Sequence, residues 1–249
     1  MDVLQSGPDD SSVYGTEQEV AEVVKNSGFP RDKLFITTKI DGEKVQDTAE
    51  AFAHSLKKLG LDYVDLYLIH APFFAQGSVK ALQEKWLDLE AILATGRTKA
   101  IGVSNFRQKE LEAILETATV IPAVNQIEYH PYLQHGDLVE FHDKHGIATV
   151  AYAPLTPITR AAPGPMDETY QLLSEKYGVS PAEIALRWTI DQGIVVLETS
   201  SNEERLHNHI EKLPGFKLTP KEVEDIKEKG KQKSFRAFWK KKYDANDFS

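Results

Sequence analysis

Six short apolar runs, separated by longer segments of helical period, constrain this chain more than any other feature. They are KLFITTKI (33–40), YVDLYLIH (63–70), KAIGVSNF (99–106), PAVNQIEY (122–129), IATVAYAP (147–154) and GIVVLETS (193–200). Each is short, contains β-branched residues and is mostly apolar along its length. That is the pattern of a parallel strand covered on both faces, not of one with a wet side. The segments between them read as helices. Residues 17–27 carry Val20, Val23 and Val24 on one face. Residues 46–59 group Phe52, Leu56 and Leu59, with Gly60 as the C-terminal stop, and residues 79–95 carry Leu82, Trp86, Leu89 and Leu93. Ser180, Pro181 and Glu183 form a helix-start signal that Thr219, Pro220 and Glu222 repeat. The Pro/Gly stretch TPITRAAPGPMDE (156–168) reads as one long loop after a strand, suited to a lid.

Strand followed by helix, repeated, means a parallel sheet with right-handed crossovers. The units run at about 30 residues and no linker divides the chain, so a single domain over residues 1–249 is expected. No G-x-G-x-x-G follows an early strand, which favours a barrel over a doubly wound sheet. The expected class is α/β, a (β/α)8 TIM-type barrel. Only six strands are plain, with residues 2–6 as the remnant of another, so the barrel is expected to be incomplete at its N-terminus.

Composition excludes several functions. The net charge of −9 leaves no broad basic surface for nucleic-acid phosphates. Without cysteine there is no disulfide framework, thiolate nucleophile or zinc–thiolate site, which suits a reducing compartment. No apolar run approaches the ~20 residues of a membrane span, and the opening MDVLQSGPDD lacks a signal-peptide pattern. A cytoplasmic protein acting on a small molecule is expected, with no nucleic-acid or membrane partner and no metal.

In a barrel, chemistry collects at the C-terminal ends of the strands. Those ends read Lys39, His70, Ser104 with Asn105, Gln126, Tyr152, and Thr199 with Ser200. Solvation alone explains polar strand ends. It does not require an ammonium, an imidazole, amides and a phenol to converge at one edge. Taken singly, each has a plain structural use: a packed tyrosine, a salt-bridged lysine, a satisfied core histidine, capping amides.

The stretches DDSSVYGTEQEV, LFITTKI, DLYLIHAP, AIGVSNF, PAVNQIEYHPYL, VAYAPL and SSNEERL, in this order, resemble the aldo-keto reductases from about residue 9 to the end. The resemblance implies a (β/α)8 barrel that reduces aldehydes or ketones with NADPH, often as a monomer. It places the catalytic quartet on Asp9, Tyr14, Lys39 and His70. The chemistry of such a quartet is intelligible by itself. A free phenol, with a pKa of about 10, is a poor acid near neutrality. A neighbouring ammonium favours phenolate and lowers that pKa. Lys39 supplies the ammonium, Asp9 keeps it charged and oriented, Tyr14 gives the proton, and His70 holds the substrate oxygen. The resemblance further puts the nicotinamide against Tyr152 and its neighbours Ala153 and Leu155. Its carboxamide falls to Ser104, Asn105 and Gln126, and the adenosine 2′-phosphate to Arg205 and the helix start at Ser200–Ser201, where Ser201 and Glu204 form a capping box. Arginine and a helix N-terminus both suit phosphate.

The chain departs from the family pattern in places. Glu198 and Thr199 stand where a Pro-Lys pair is usual, which removes a phosphate-facing cation and weakens the preference for NADPH. Ala71 replaces a bulky aromatic, and Asn208 and His209 replace residues common near the adenine. The family's first strand, first helix and most of its second strand have no counterpart, and Pro8 is poor strand sequence before Asp9. An alternative reading is therefore a catalytically impaired descendant that binds nicotinamide or a partner. A barrel isomerase or sugar-phosphate enzyme is allowed by fold alone, but no Gly-rich phosphate loop supports it.

Overall fold

β-Branched and aliphatic residues build seven strands among the residues that the computed structural model describes, which are 2–5, 16–43, 45 and 47–243. In chain order the elements are β1 (Asp2–Gln5), α1 (Glu17–Asn26), β2 (Leu34–Ile40), α2 (Thr48–Leu59), β3 (Val64–Ile69), α3 (Val79–Ala94), β4 (Thr98–Ser104), α4 (Gln108–Leu115) and β5 (Val124–Glu128). They continue with α5 (Leu138–His145), β6 (Ala148–Tyr152), α6 (Thr156–Thr159), α7 (Met166–Tyr177), α8 (Pro181–Ile190), β7 (Val195–Val196), α9 (Glu203–Lys212) and α10 (Pro220–Gly230). All six strands expected from the apolar runs are present, and the alternation gives an α/β fold with parallel strands. Two compact units divide the chain, residues 1–125 with 142–147, and residues 126–141 with 148–249.

In the first unit β1, β2, β3 and β4 pair in sequence order, all parallel. Residues 2–5 are thus a full partner of β2, with Asp2 opposite Leu34 and Gln5 opposite Thr37. Arg31 ties β2 to β3 by reaching the Asp65 carboxylate at 2.7 Å and the Leu34 carbonyl at 2.7 Å. Beneath the sheet, α2 buries Phe52, Leu56 and Leu59, with Phe52 tilted on Tyr67 at 4.6 Å. The Asp47 side chain caps α2 by accepting from the Glu50 amide, and Gly60 ends it at φ 63°, a conformation that favours glycine. The buried residues of α3 are Leu82, Lys85, Trp86, Leu89 and Ile92; Ile92 takes the place expected of Leu93, which is half-buried. In α1 the expected face is only partly realised. Val20 and Val24 are half-buried, but Val23 is exposed, and the one fully buried residue of the helix is Glu17.

In the second unit β6 and β7 pair in parallel, Val150 opposite Val195. Trp188 of α8 is fully buried, stacks on Tyr129 at 5.5 Å and donates its indole N–H to the Val223 carbonyl. The start signals before α8 and α10 form as read: Ser180 N–H donates to Glu183 at 2.6 Å and Thr219 N–H to Glu222 at 2.8 Å. The long loop expected over 156–168 is instead cut by α6 and closed by the first turn of α7. Thr156 N–H donates to the Ala153 carbonyl and Met166 N–H to the Tyr132 hydroxyl, so internal bonds hold this Pro/Gly stretch. Among the described residues no helix is long and apolar enough to cross a membrane.

Gly102 shows how tightly the first unit is packed. A Cβ there would lie 2.7 Å from the Val124 carbonyl oxygen and 2.9 Å from Leu68 Cδ2. Backbone cannot give way cheaply, so Gly102→Ala is expected to cost about 1–3 kcal/mol by overpacking, read as a lowered urea midpoint. An unchanged midpoint would show that the two strands can separate there.

Candidate active site

Side chains alternate along a strand, and residues opposite one another in register share a face. Lys39 lies opposite Leu68, and Leu68 opposite Gly102. His70 and Ser104 each lie two residues further along their strands. Lys39, His70 and Ser104 are therefore on one face, at the C-terminal ends of β2, β3 and β4. All three are buried, at 5%, 5% and 0% exposure, which apolar strand-end packing would not select for an ammonium and an imidazole. The His70 amide extends the ladder past β3 by donating to the Ile40 carbonyl at 3.0 Å. Asp9 and Tyr14 lie outside the described residues.

The residue after Ser104 is held in an uncommon backbone state. Asn105 sits at φ 61°, in the left-handed region that asparagine tolerates better than most residues. Its amide nitrogen donates to the His70 carbonyl at 2.9 Å and to the Ser104 hydroxyl at 3.0 Å. Both amide hydrogens are thus engaged within the turn. Asn125 clamps the turn from behind. Its Nδ2 donates to the Phe106 carbonyl at 2.8 Å and faces Nε2 of the fully buried His142 at 3.0 Å. Sequence reasoning passed over Asn125 because its neighbour Gln126 was the expected ligand residue; strand alternation puts the two side chains on opposite faces.

Glu17 is a second residue that sequence reasoning missed. It is 0% exposed, accepts from the Thr38 hydroxyl at 3.0 Å and lies 3.5 Å from the Lys58 ammonium. Thr38 precedes Lys39, so this buried carboxylate ties the first turn of α1 to the other face of the strand that carries the lysine. Only its place in the acidic run TEQEV was visible in the sequence.

In the second unit Gln126 is buried at the opening of its part of β5. Tyr152 ends β6 half-buried, with the Phe238 ring set edge-on at 5.6 Å and 79°. Ala153 follows at φ 54° and Leu155 is 8% exposed. At α9 the cap is Asn202 and not the expected Ser201–Glu204 box: Asn202 Oδ1 accepts from the Arg205 amide at 3.0 Å, and Ser200 Oγ accepts from the Asn202 amide at 3.1 Å. Asparagine at that position reaches the third amide of the helix as well as serine does. Arg205 is exposed and lines a cavity with Asn202, Asn208 and Lys212, but the carboxylates of Glu183 and Glu204 line it too. A guanidinium and a helix start suit a phosphate, and the two carboxylates work against it. His209 does not contribute there, because it is buried against Glu183 at 2.8 Å. No group of three or more His, Asp or Glu side chains that could hold a metal occurs among the described residues.

The sequence pattern of the aldo/keto reductase family matches residues 8–231. An NAD/NADP-dependent indole-3-acetaldehyde reductase of Schizosaccharomyces pombe is 40% identical over 93% of this chain and 82% of its own length. An NADPH-dependent alpha-keto amide reductase of Saccharomyces cerevisiae is 38% identical over 94% of this chain and 78% of its own. Among solved structures, an aldo/keto reductase from Brucella melitensis superposes with a TM-score of 0.79 at 36% identity, covering 92% of this chain and 83% of that one. The Bombyx mori aldo-keto reductase in complex with NADP gives 0.82 at 31% identity over 99% of this chain and 83% of that one.

Glu198, between β7 and α9, carries the most informative titration. Burial pushes its carboxyl up to about 7, and the Thr199 amide and the Arg205 charge offset this only in part. Folding therefore disfavours the ionised form. The stabilising effect of keeping this group neutral is full below its ordinary value of 4.5 and is lost as pH rises through about 7. Thermal unfolding of wild type and Glu198→Gln from pH 4 to 8.5 should diverge across that window, the variant holding its stability better at the alkaline end. Parallel curves would contradict the assignment.

Proposed function

We propose, from the premise that this chain belongs to the aldo/keto reductase family, that it reduces an aldehyde or ketone to the alcohol with NADPH and that Tyr14 is the proton donor. The observation that supports this most is the register that delivers Lys39, His70 and Ser104, all buried, to one face at three adjacent strand ends. The (β/α)8 barrel of the family is the architecture in which we place the site, and a monomer acting on a small-molecule carbonyl completes the reading.

When bound, NADPH supplies the hydride that becomes the new C–H bond of the alcohol. The chain's own residues manage the oxygen. His70 donates a hydrogen bond to the carbonyl oxygen and fixes its position. Negative charge grows on that oxygen as the carbon is reduced, and the Tyr14 phenol gives it a proton. The Lys39 ammonium favours the resulting phenolate, and so makes Tyr14 a stronger acid than a free phenol. Asp9 keeps Lys39 charged. Burial of Lys39 strengthens its effect, since an ammonium acts over a longer range away from bulk water.

The remaining residues hold the cofactor. Ser104, Asn105 and Gln126 would take the carboxamide. Tyr152, whose flat ring suits stacking, would hold the nicotinamide together with Ala153 and Leu155. Arg205 and Ser200 would take the adenosine 2′-phosphate. Thr199 adds no cation there, and Glu198 becomes an anion above about pH 7. Use of NADH alongside NADPH is accordingly part of the reading.

Purified protein mixed with NADPH and a reactive aldehyde should lose NADPH absorbance. Tyr14→Phe should lower kcat by about 10²–10⁴, the range for removing a positioned acid, while NADPH still quenches protein fluorescence. Equal rates in the two proteins would reject Tyr14. Quenching without turnover in wild type would favour a cofactor-binding protein that has lost catalysis.

A further inference from the structure

Phe106 directly follows Asn105, and its peptide is gripped by a side chain of β5. Asn125, fully buried, donates from Nδ2 to the Phe106 carbonyl at 2.8 Å and accepts from the Phe106 amide through Oδ1 at 3.4 Å. A carbonyl needs a donor and an N–H needs an acceptor, so these two backbone groups fix which end of the Asn125 amide is nitrogen. The other Nδ2 hydrogen meets Nε2 of His142 in α5 at 3.0 Å. Nε2 must then accept, and the ring proton belongs on Nδ1.

Core filling alone does not account for His142. The residue is fully buried, and an apolar side chain would occupy that space without taking an imidazole out of water. What the imidazole adds is an acceptor. The Phe106 N–H contact is long, so without His142 the Asn125 amide would be held firmly only at the Phe106 carbonyl. One bond leaves an amide able to pivot; a second bond, to His142, fixes its plane. His142 itself stands in a closed frame at the end of α5. Gly146, at φ 70°, donates to the Asp143 carbonyl at 3.3 Å, and the Ile147 amide donates to the His142 carbonyl at 2.9 Å.

The turn after β4 needs such holding. A residue other than glycine at φ 61° occupies a sparsely populated region, and it stays there only where its neighbours over-determine it. On one side Asn105 bonds to the His70 carbonyl and the Ser104 hydroxyl. On the other side Asn125 holds the Phe106 peptide, and His142 holds Asn125. We propose that His142 is a positioning residue for the nicotinamide end of the cofactor: its Nε2 fixes the Asn125 amide and, through the Phe106 peptide, the turn that carries Ser104 and Asn105. This rests on the reductase reading, in which Ser104 and Asn105 take the carboxamide.

The test uses the full chain, with NADPH and 2′,5′-ADP as probes. The second probe has the adenosine phosphates but no nicotinamide. His142→Leu removes the acceptor, whereas His142→Gln keeps one, because its amide oxygen can stand where Nε2 does. In His142→Leu the Kd of NADPH should rise about three- to tenfold, the worth of one hydrogen bond, while that of 2′,5′-ADP stays as in wild type. Hydrogen exchange of the peptide spanning 103–108 should quicken in that variant, and exchange of the β2 peptide should not. His142→Gln should behave as wild type in both measurements. Unchanged NADPH affinity in a folded His142→Leu, equal weakening toward both probes, or a His142→Gln as weak as His142→Leu would overturn the proposal and leave the reductase reading intact. Should His142→Leu fail to fold, the ring nitrogen NMR signals of wild type, assigned by their loss in His142→Gln, decide. A proton on Nε2 overturns the proposal, since that nitrogen could not accept; a bare Nε2, with NADPH affinity kept in His142→Gln, supports it. Wild type that binds no NADPH brings down the reductase reading first, and the proposal with it.

Discussion

The peptide of His70 holds together the face of the first unit on which the proposed reaction depends. Its N–H continues the β2–β3 ladder onto the Ile40 carbonyl, and its C=O receives the Asn105 amide from the turn after β4. Three strand ends are thereby referred to one another through a single residue. Lys39 is placed because Ile40 beside it is fixed. Ser104 is placed because Asn105 bonds to both His70 and Ser104. Preorganised groups are what stabilise a developing oxyanion, and that is the use the proposed reaction makes of this face.

Buried polar groups carry the rest of the positioning, and they do so from outside the reacting face. Glu17 binds the first turn of α1 to Thr38, Asn125 and His142 hold the Phe106 backbone, and Glu128 grips the segment at Ala237–Phe238. Each of these side chains is at most 1% exposed. Groups so buried are tolerable only when bonded, and each is bonded to a segment next to a residue assigned to the site. In the second unit, burial acts differently at Glu198, which has few partners and titrates near neutrality as a result.

The strands were legible because parallel strands are apolar throughout, and the run at 33–40 returns as Leu34–Ile40 almost unchanged. The caps at Ser180 and Thr219 were legible because their signal is local. What the sequence hides is long-range. Nothing in QIEYHPYL says that its glutamate will meet an amide at position 237, and nothing in TEQEV marks Glu17 as the buried member. The cap at α9 slipped by one residue because Ser200, Ser201 and Asn202 are all able cap formers, and only tertiary placement chooses among them. Val23 fits the helical period of α1 yet is exposed, since periodicity marks a stripe without saying how much of it finds a neighbour. Of the proposed site, Lys39, His70 and Ser104 are joined by register, which no single-sequence pattern specifies.

The electrostatic role of Lys39 is the central claim, and the pH dependence of kcat/KM for aldehyde reduction tests it most directly. The account predicts that the wild-type rate falls on the alkaline side around a pKa clearly below the ~10 of a free phenol, and that Lys39→Met moves this limb upward by more than one pH unit. The same alkaline limb in both proteins would mean that the ammonium does not tune the proton donor.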